Sequence, residues 1–337
     1  MQLLKYLLSG SLGFLFMFFL VQCKADQPKE IVQSKRDSAL EQLTSLIMKS
    51  PEEASLFYDR GQFYYQAEDY DKSIADLKKA ISLDSLQPQA YHLLSDVYMD
   101  YYRSKDALQI MEEAGELFPK RIATLLKLSE TQLILKQNEH SLLTVAQILT
   151  LEPQNAEAHF MTGLNFRAIG EIDRAIAAFQ RATEIDPKLT DAWLIAADLM
   201  DQKGMALAEE YYDAATRVDP DNPSTWHSKA FYLQNNGQEK EALALYRKIN
   251  LIDKNYTDAY LNPGILYMTM DSLGPAKEQF TIMSKIVPQN HLPYYYLGLI
   301  FEAEENFSKS RMNLENCLNL KPDFSKAKVA LDRISTS

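Results

Sequence analysis

Residues 156–189 read AEAHFMTGLNFRAIGEIDRAIAAFQRATEIDPKL, and this stretch decides the fold. Apolar residues recur in it at helical spacing in two successive segments, which predicts a pair of amphipathic helices. Gly163 and Ala175 provide small side chains where two such helices would cross most closely. Pro187 then stops the second helix, because proline lacks an amide proton and disfavours helical angles in the residue before it.

The same pattern recurs along the chain with a period of 34 residues, and one copy has 33. The eight copies start at Ala54, Pro88, Ile122, Ala156, Thr190, Pro223, Thr257 and His291. Their eighth residues are Gly61, Ser95, Ser129, Gly163, Ala197, Ala230, Gly264 and Gly298. Their twentieth residues are Ser73, Ala107, Ser141, Ala175, Ala208, Ala242, Ala276 and Ser310. Small residues at all of these places, at a period near 34, indicate an array of helical hairpins.

This pattern resembles the tetratricopeptide repeat over residues 54–324. The resemblance implies an all-α fold: a right-handed α-solenoid of eight helix-turn-helix repeats with capping helices. The repeats are predicted at 54–87, 88–121, 122–155, 156–189, 190–222, 223–256, 257–290 and 291–324, each with a first helix (helix A) and a second (helix B). Residues 37–53 are predicted to form an N-terminal half-repeat that caps the array, and residues 325–337 a C-terminal capping helix.

Two places depart from the regular repeat. In the fifth repeat the missing residue falls between Gly204 and Ala208, where we expect the turn to absorb it. In the seventh, Pro263 stands inside the predicted helix A, where it removes a hydrogen bond at a cost of about 3 kcal/mol. We therefore expect that helix to be kinked or shortened.

The N-terminus has the order of a secretory signal, with Lys5 ahead of an uncharged apolar run at residues 7–21. The fifteen residues of this run would reach roughly 22 Å as a helix, short of the roughly 30 Å of a hydrocarbon core. Residues 1–22 are therefore predicted to be a signal peptide and residues 23–36 a polar tether, with an uncleaved membrane anchor as the alternative.

Residues Leu20, Val21, Gln22 and Cys23 resemble a bacterial lipobox, although Gln22 stands where that family has Gly, Ala or Ser. The resemblance implies lipidation of Cys23. Lys24 follows the cysteine, which in the lipoproteins of this kind implies sorting to the outer membrane, facing the periplasm. Anchorage at the inner membrane is the alternative localisation.

Composition and motifs exclude several classes of function. The formal net charge is −11, and no cluster of Lys and Arg suggests a nucleic-acid surface. Two cysteines cannot supply a zinc site, and Cys317 is expected to be a buried small hydrophobe. The five histidines share no metal-ligand spacing, so we expect no metal and no cofactor. They are His92, His140, His159, His227 and His291. No catalytic motif is present, and we expect no enzymatic activity.

In the tetratricopeptide repeat family, positions 2, 5, 9 and 12 of helix A line a concave groove. In this chain those positions combine carboxylates with apolar and aromatic groups, which favours a partner with a basic or amphipathic segment. The groove residues predicted on this basis are Tyr58, Tyr65, Asp96, Met99, Glu130, Phe160, Arg167, Asp191, Asp198, Asp201, Phe231, Asp258 and Tyr295. The competing interpretation is that the acids are a solvated face and the apolar groups serve packing between repeats.

The resemblance to envelope tetratricopeptide repeat lipoproteins implies a protein-protein interaction scaffold or adaptor anchored in the membrane. A second possibility is a structural subunit of an envelope assembly that uses the convex and end faces. A small-ligand receptor or enzyme would need a closed pocket, which an open solenoid rarely supplies. The fifth position of the repeats lacks the Lys or Arg of chaperone-binding members, which disfavours the tail of a heat-shock chaperone as partner.

Overall fold

The computed structural model describes residues 29–335, with side chains from residue 38 onward. Throughout this range the regular secondary structure is α-helix, and the predicted all-α class is confirmed. The predicted signal segment and Cys23 lie outside the described residues. Within residues 29–335 none of the helices has the length and apolar character needed to cross a bilayer.

The chain divides into two compact units, the first ending at Asp186 and the second beginning at Pro187. The first unit contains α1 (Lys29–Lys49), α2 (Ala54–Gln66), α3 (Tyr70–Leu83), α4 (Pro88–Asp100), α5 (Ser104–Leu117), α6 (Ile122–Ile134), α7 (Asn138–Leu151), α8 (Ala156–Ala168) and α9 (Ile172–Ile185). The second unit contains α10 (Thr190–Gln202), α11 (Ala208–Val218), α12 (Pro223–Asn235), α13 (Glu239–Ile252), α14 (Asp258–Thr269), α15 (Leu273–Ile286), α16 (His291–Ala303), α17 (Phe307–Leu320) and α18 (Ser325–Ser335).

Within each unit, every helix packs on the helices that precede and follow it in the chain. Helix A of the eight repeats corresponds to α2, α4, α6, α8, α10, α12, α14 and α16, and helix B to the helix that follows each. Because contacts are made mainly between sequence neighbours, each unit is a stack of hairpins without long-range strand or sheet pairing.

The two helices of a repeat approach closely at the small residues. A Cβ atom added to Gly163 would lie 2.6–2.8 Å from three ring atoms of Phe179, and one added to Gly264 would lie 2.6–3.1 Å from the Phe280 ring. Serine at the facing position adds a hydrogen bond across the same crossing. The Ser73 hydroxyl donates to the Gly61 carbonyl over 2.8 Å. The small residues are therefore required by the geometry of the crossing.

The turn between helix A and helix B is the same at every repeat. The backbone N–H of the residue that follows the turn donates to a carbonyl in the last turn of helix A, as Arg103 does to Tyr98 over 2.7 Å. The residue before it has a positive φ. That residue is Gly170 (83°), Gly204 (65°) and Gly237 (74°) in three repeats, and Glu68 (58°), Tyr102 (58°), Lys136 (60°), Asp271 (53°) and Glu305 (58°) in the other five.

Aromatic residues at the fourth position of helix A in the second unit pack their rings against the protein and donate a hydrogen bond from the polar end of the side chain. The indole N–H of Trp193 donates to the Pro187 carbonyl over 2.9 Å, and the indole N–H of Trp226 to the Pro220 carbonyl over 2.7 Å. The hydroxyl of Tyr260 donates in the same way, six residues back. These bonds tie helix A to the loop before it.

Two helices of the structure, α1 and α11, have bounds that the sequence did not predict. Helix α1 begins at Lys29, eight residues before the predicted half-repeat, so it takes in part of the predicted tether 23–36. The segment KEIVQSKR at 29–36 contains no Pro or Gly and several good helix formers, which explains the extension. The one-residue deletion in the fifth repeat also shortens helix B of that repeat by about one turn at its N-terminus. Helix α11 has 11 residues, whereas the other B helices have 14.

Pro263 is accommodated inside α14, which starts at Asp258 and is one residue shorter than the other A helices. Proline has no N–H to donate to the carbonyl of Ala259, four residues earlier. The side-chain amide of Asn250, on α13, donates to this carbonyl over 3.3 Å. A neighbouring helix therefore supplies the hydrogen bond that the proline removes.

Candidate protein-binding surface

In the first unit, several predicted groove residues are engaged between repeats. The Tyr65 hydroxyl donates to Asp100 Oδ2 over 2.5 Å, and Lys127 Nζ donates to Asp96 Oδ1 over 2.5 Å. Tyr58 and Met99 are half-buried and pack against the core of the first two repeats. This part of the predicted groove therefore serves inter-repeat packing to a large extent.

Phe160 is a correction to the predicted groove. Only 8% of the residue is exposed, and its ring centroid lies 5.6 Å from that of Phe179. Because Gly163 lets Phe179 approach helix A so closely, Phe160 packs on it inside the fourth repeat. Glu130 on α6 and Arg167 on α8 are half-buried.

His92 links two A helices of the first unit. Its Nε2 lies 2.9 Å from the Thr124 hydroxyl oxygen, on α6. Burial lowers the pKa of His92 to about 4, and the positive charges of Lys127 and Arg121 act in the same direction. The folded chain therefore holds this histidine neutral.

The His92 environment predicts a pH dependence of stability. Between the folded pKa of about 4 and the unfolded value of about 6.5, the unfolded state binds more protons. The stability that neutral His92 contributes is therefore fully present above pH 6.5 and is lost as the pH is lowered toward 4. We expect His92 to account for about 1 kcal/mol of this loss, since solvent screens the partly exposed ring. Urea titrations of the wild type and His92→Gln from pH 4.5 to 7.5 measure the difference.

The exposed His140→Gln variant is the control, and its pH profile should follow the wild type. A His92→Gln variant that loses stability with falling pH as steeply as the wild type would contradict the prediction.

In the second unit, three aspartates lie along one face of α10. Asp191, Asp198 and Asp201 are spaced by seven and three residues, which places them one above the other on a helix. Asp198 Oδ1 accepts a hydrogen bond from the Tyr212 hydroxyl over 2.5 Å, and Asp201 Oδ1 accepts one from Asn236 Nδ2 over 3.3 Å. Burial and then the Asp198 charge raise the pKa of Tyr212, so the tyrosine stays a donor. Asp191 and Asp198 are exposed, and Asp201 is half-buried.

Phe231 on α12 occupies the ninth position of its repeat, as Asp198 does in the repeat before, and is 46% exposed. Its ring stacks against that of His227, with centroids 6.4 Å apart. His227 Nε2 lies 2.9 Å from Asn262 Nδ2, and the Tyr256 ring centroid lies 5.5 Å from the imidazole. Burial lowers the pKa of His227, while the charge of Asp258 opposes this. A neutral imidazole accepting from Asn262 thus joins α12 to α14.

Charge on these A helices is strongly unbalanced. Helices α10, α12 and α14 contain four aspartates and one lysine, Lys229. Lys229 Nζ forms an ion pair with Asp213 on α11, so a carboxylate of helix B neutralises the lysine charge. We call the surface formed by Asp191, Asp198, Asp201, Phe231 and Asp258 the acidic helix-A face.

Tyr295, the last predicted groove residue, is half-buried at the C-terminal end. Its ring centroid lies 5.1 Å from that of Phe324, and it packs against the cluster formed by Leu314, Cys317 and Ala327. Tyr295 therefore contributes to the packing of α17 and α18. Cys317 is buried, and burial raises the pKa of its thiol to about 11.

Comparison with known proteins agrees with these hairpins. Sequence models of the tetratricopeptide repeat family match residues 54–85, 141–189 and 211–244. The chain is a tetratricopeptide repeat protein. Among the described residues of this tetratricopeptide repeat protein, no group of three or more His, Cys, Asp or Glu side chains is placed to hold a metal ion.

Relatives of this tetratricopeptide repeat protein are distant. The mitochondrial import receptor subunit TOM70 of Homo sapiens is 24% identical over 237 residues, which are 66% of this chain and 38% of TOM70. The anaphase-promoting complex subunit CDC16 of Saccharomyces cerevisiae is 24% identical over 144 residues, 42% of this chain and 17% of CDC16. A tetratricopeptide repeat protein from Parabacteroides merdae has a TM-score of 0.49 at 14% identity, covering 74% of this chain and 99% of that one. The chain thus spans less than half of either sequence relative.

The contacts of His92 with Thr124 and of His227 with Asn262 were not predicted from the sequence, where the histidines of this tetratricopeptide repeat protein share no ligand spacing. Both occupy the fifth position of helix A, and both contact a polar residue of the next helix A, Thr124 or Asn262. The shared position was a signal available in the sequence, but the two partner positions differ.

Proposed function

We propose that this chain is a scaffold that binds a peptide or helix of a partner protein on its acidic helix-A face. As a family, tetratricopeptide repeat proteins are protein-interaction scaffolds and are generally not enzymes, and we propose that this chain likewise catalyses no reaction. The observation that carries the proposal is the exposed Phe231 ring at the ninth position of its repeat, the position that Asp198 occupies in the repeat before.

Two physical properties of this face support a basic, amphipathic partner. An aromatic ring that is nearly half exposed can gain free energy by entering an apolar contact. The aspartates of α10 and α14 attract Lys or Arg side chains and would speed the encounter at low ionic strength. The partner is therefore expected to present one apolar side chain close to two or three basic ones.

Site-specific crosslinking tests the proposal. A photo-crosslinking amino acid in place of Phe231 should capture a partner in the native cells. Changing Asp191, Asp198 and Asp201 to Asn in the same chain should lower the yield at least about fivefold, because the steering charges are removed. A control with Glu112, Glu116 and Glu315 changed to Gln removes three exposed charges from helices α5 and α17 and should leave the yield unchanged.

A structural subunit is the second candidate function, and exposed leucines on B helices favour it. Leu143 on α7 is 70% exposed, and Leu251 on α13 is 88% exposed. The same photo-crosslinking amino acid in place of Leu143 distinguishes the structural subunit from the scaffold. A partner captured there, with no partner captured at Phe231, would contradict the scaffold proposal and support permanent contacts through helix B.

We also propose that Cys23 carries a lipid anchor in the outer membrane, with the repeats in the periplasm. The apolar run at residues 7–21 and the sequence Leu20, Val21, Gln22, Cys23 support this proposal. Changing Cys23 to Ala should move the protein from the membrane fraction to the soluble fraction and remove the mass of the lipid. A Cys23→Ala protein that stays in the membrane fraction with unchanged mass would instead indicate an uncleaved N-terminal helix.

A further inference from the structure

In the first unit, the turns between helix A and helix B of the first two repeats form a surface with exposed tyrosines and carboxylates. Tyr102 lies in the second of these turns, with φ of 58°, and is 96% exposed. A bulky residue in the left-handed region is unusual, because its Cβ crowds the backbone there. Its almost complete exposure means that core packing does not account for a tyrosine at this position.

The residues at the equivalent turn position of the other seven repeats are glycine or polar. Three repeats have glycine at this turn position, and the remaining four have the polar residues Glu68, Lys136, Asp271 and Glu305. Tyr102 is therefore the one aromatic residue among eight equivalent positions. The same turn forms with either kind of residue, since the same backbone hydrogen bond closes all eight.

Two more tyrosines lie beside Tyr102. The rings of Tyr70 and Tyr101 stack with centroids 5.2 Å apart, and Tyr101 is 37% exposed. They line an open cavity of about 310 Å³ together with Ala67, Glu68, Asp69 and Asp71. Because a water molecule occupies roughly 30 Å³ of liquid, the cavity has room for the head group of a long side chain.

The carboxylates around these rings carry an excess of negative charge. Asp69 pairs with Lys72, and Arg103 pairs with Asp106. Among the described residues, Glu68, Asp71 and Asp100 form no ion pair with a basic side chain, although Asp100 and Asp71 accept hydrogen bonds from Tyr65 and Tyr101. Beyond the effect of burial, the charges of Asp100 and Glu68 raise the pKa of Tyr70, which places both carboxylates near its ring.

We propose that this tyrosine edge, formed by Glu68, Tyr70, Asp71, Tyr101 and Tyr102, binds an arginine side chain of an extended segment in a partner protein. A planar guanidinium can stack on a tyrosine face while donating to a carboxylate, which an ammonium group does less well. The site belongs to the first unit, and its residues are separate from the acidic helix-A face.

The first repeat contains an internal example of the same recognition. Arg60 donates to both carboxylate oxygens of Asp76, over 2.6 and 2.8 Å. Its guanidinium carbon lies 5.8 Å from the centroid of the Phe57 ring and 5.9 Å from that of Tyr64. At the tyrosine edge the rings and the carboxylates are present, and the arginine would come from the partner.

The test uses the full-length chain in detergent and a fluorescein-labelled peptide, Gly-Ser-Gly-Arg-Gly-Arg-Gly-Ser-Gly, followed by fluorescence anisotropy. A comparison peptide has citrulline in place of both arginines, which keeps the shape and removes the charge. We expect the citrulline peptide to bind at least about tenfold more weakly. Tyr102→Ala and the double variant Glu68→Gln, Asp71→Asn should each weaken binding of the arginine peptide about threefold to tenfold.

Two controls make the outcome decisive. Lys136→Ala changes the same turn position in the third repeat and should leave the affinity unchanged. The variant with Glu112, Glu116 and Glu315 changed to Gln removes three exposed charges from helices α5 and α17 and should also bind normally. Equal affinity for the two peptides, no saturable binding below about 1 mM, or a loss of binding only in the Glu112, Glu116, Glu315 variant would each overturn the proposal.

Discussion

Replacing Asp76 by Ala is expected to lower the free energy of unfolding by about 3 kcal/mol. Asp76 and Arg60 form a bidentate pair, with side chains that are only 9% and 17% exposed. The guanidinium also lies 3.4 Å from the Thr44 hydroxyl and near two aromatic rings. Removing the carboxylate leaves a largely buried positive charge without its counterion. Urea titration followed by circular dichroism measures the loss.

Two variants separate this effect from a general loss of surface charge. Glu184→Gln breaks the exposed pair with Arg181 and should change stability by less than about 1 kcal/mol. Changing Arg60 to Met and Asp76 to Leu together removes both charges and should recover most of the lost stability. If Asp76→Ala costs no more than Glu184→Gln, the pair does not stabilise the first repeat in the way its burial indicates.

Replacing Gly163 by Ala is expected to lower the free energy of unfolding by about 2 kcal/mol, although alanine is the better helix former. The added Cβ would lie 2.6–2.8 Å from ring atoms of Phe179, which is fully buried and cannot move aside without displacing its neighbours. The clash outweighs the gain of about 1 kcal/mol that alanine offers in a helix. The same urea titration measures the change.

Gly274→Ala is the comparison, because Gly274 lies in helix α15 and no other helix places a heavy atom within 4 Å of an added Cβ. Alanine is the better helix former, but Pro275 follows and disfavours a Cβ on the residue before it, so the change in stability should stay within about 1 kcal/mol. Adding Phe179→Val to Gly163→Ala should restore part of the loss, following the third repeat, where Ser129 faces the smaller Val145. Equal effects of the two glycine substitutions would contradict the close approach of α8 and α9.

The structure leaves some of the predicted groove residues exposed and buries others. Position within the repeat placed the aspartates of α10 and Phe231 on helix A, and the structure leaves Phe231, Asp191 and Asp198 exposed. The same rule selected Phe160, which is buried against Phe179. Phe160 is at position 5 of its repeat and Phe231 at position 9, four residues and about one helical turn apart on the same helix face, so periodicity alone does not separate a core ring from an exposed one.

The sequence by itself determined the helical hairpins and their period, because close helix crossing demands a small residue and the prolines that follow most B helices stop those helices. These constraints act within about one repeat and can be read from local spacing. Only the tertiary structure decided which polar groups pair between helices, such as Asn250 with the Ala259 carbonyl and His227 with Asn262 across repeats, and Arg60 with Asp76 inside the first repeat. Those contacts depend on side-chain direction and on the distance between packed helices, and residue spacing does not specify either.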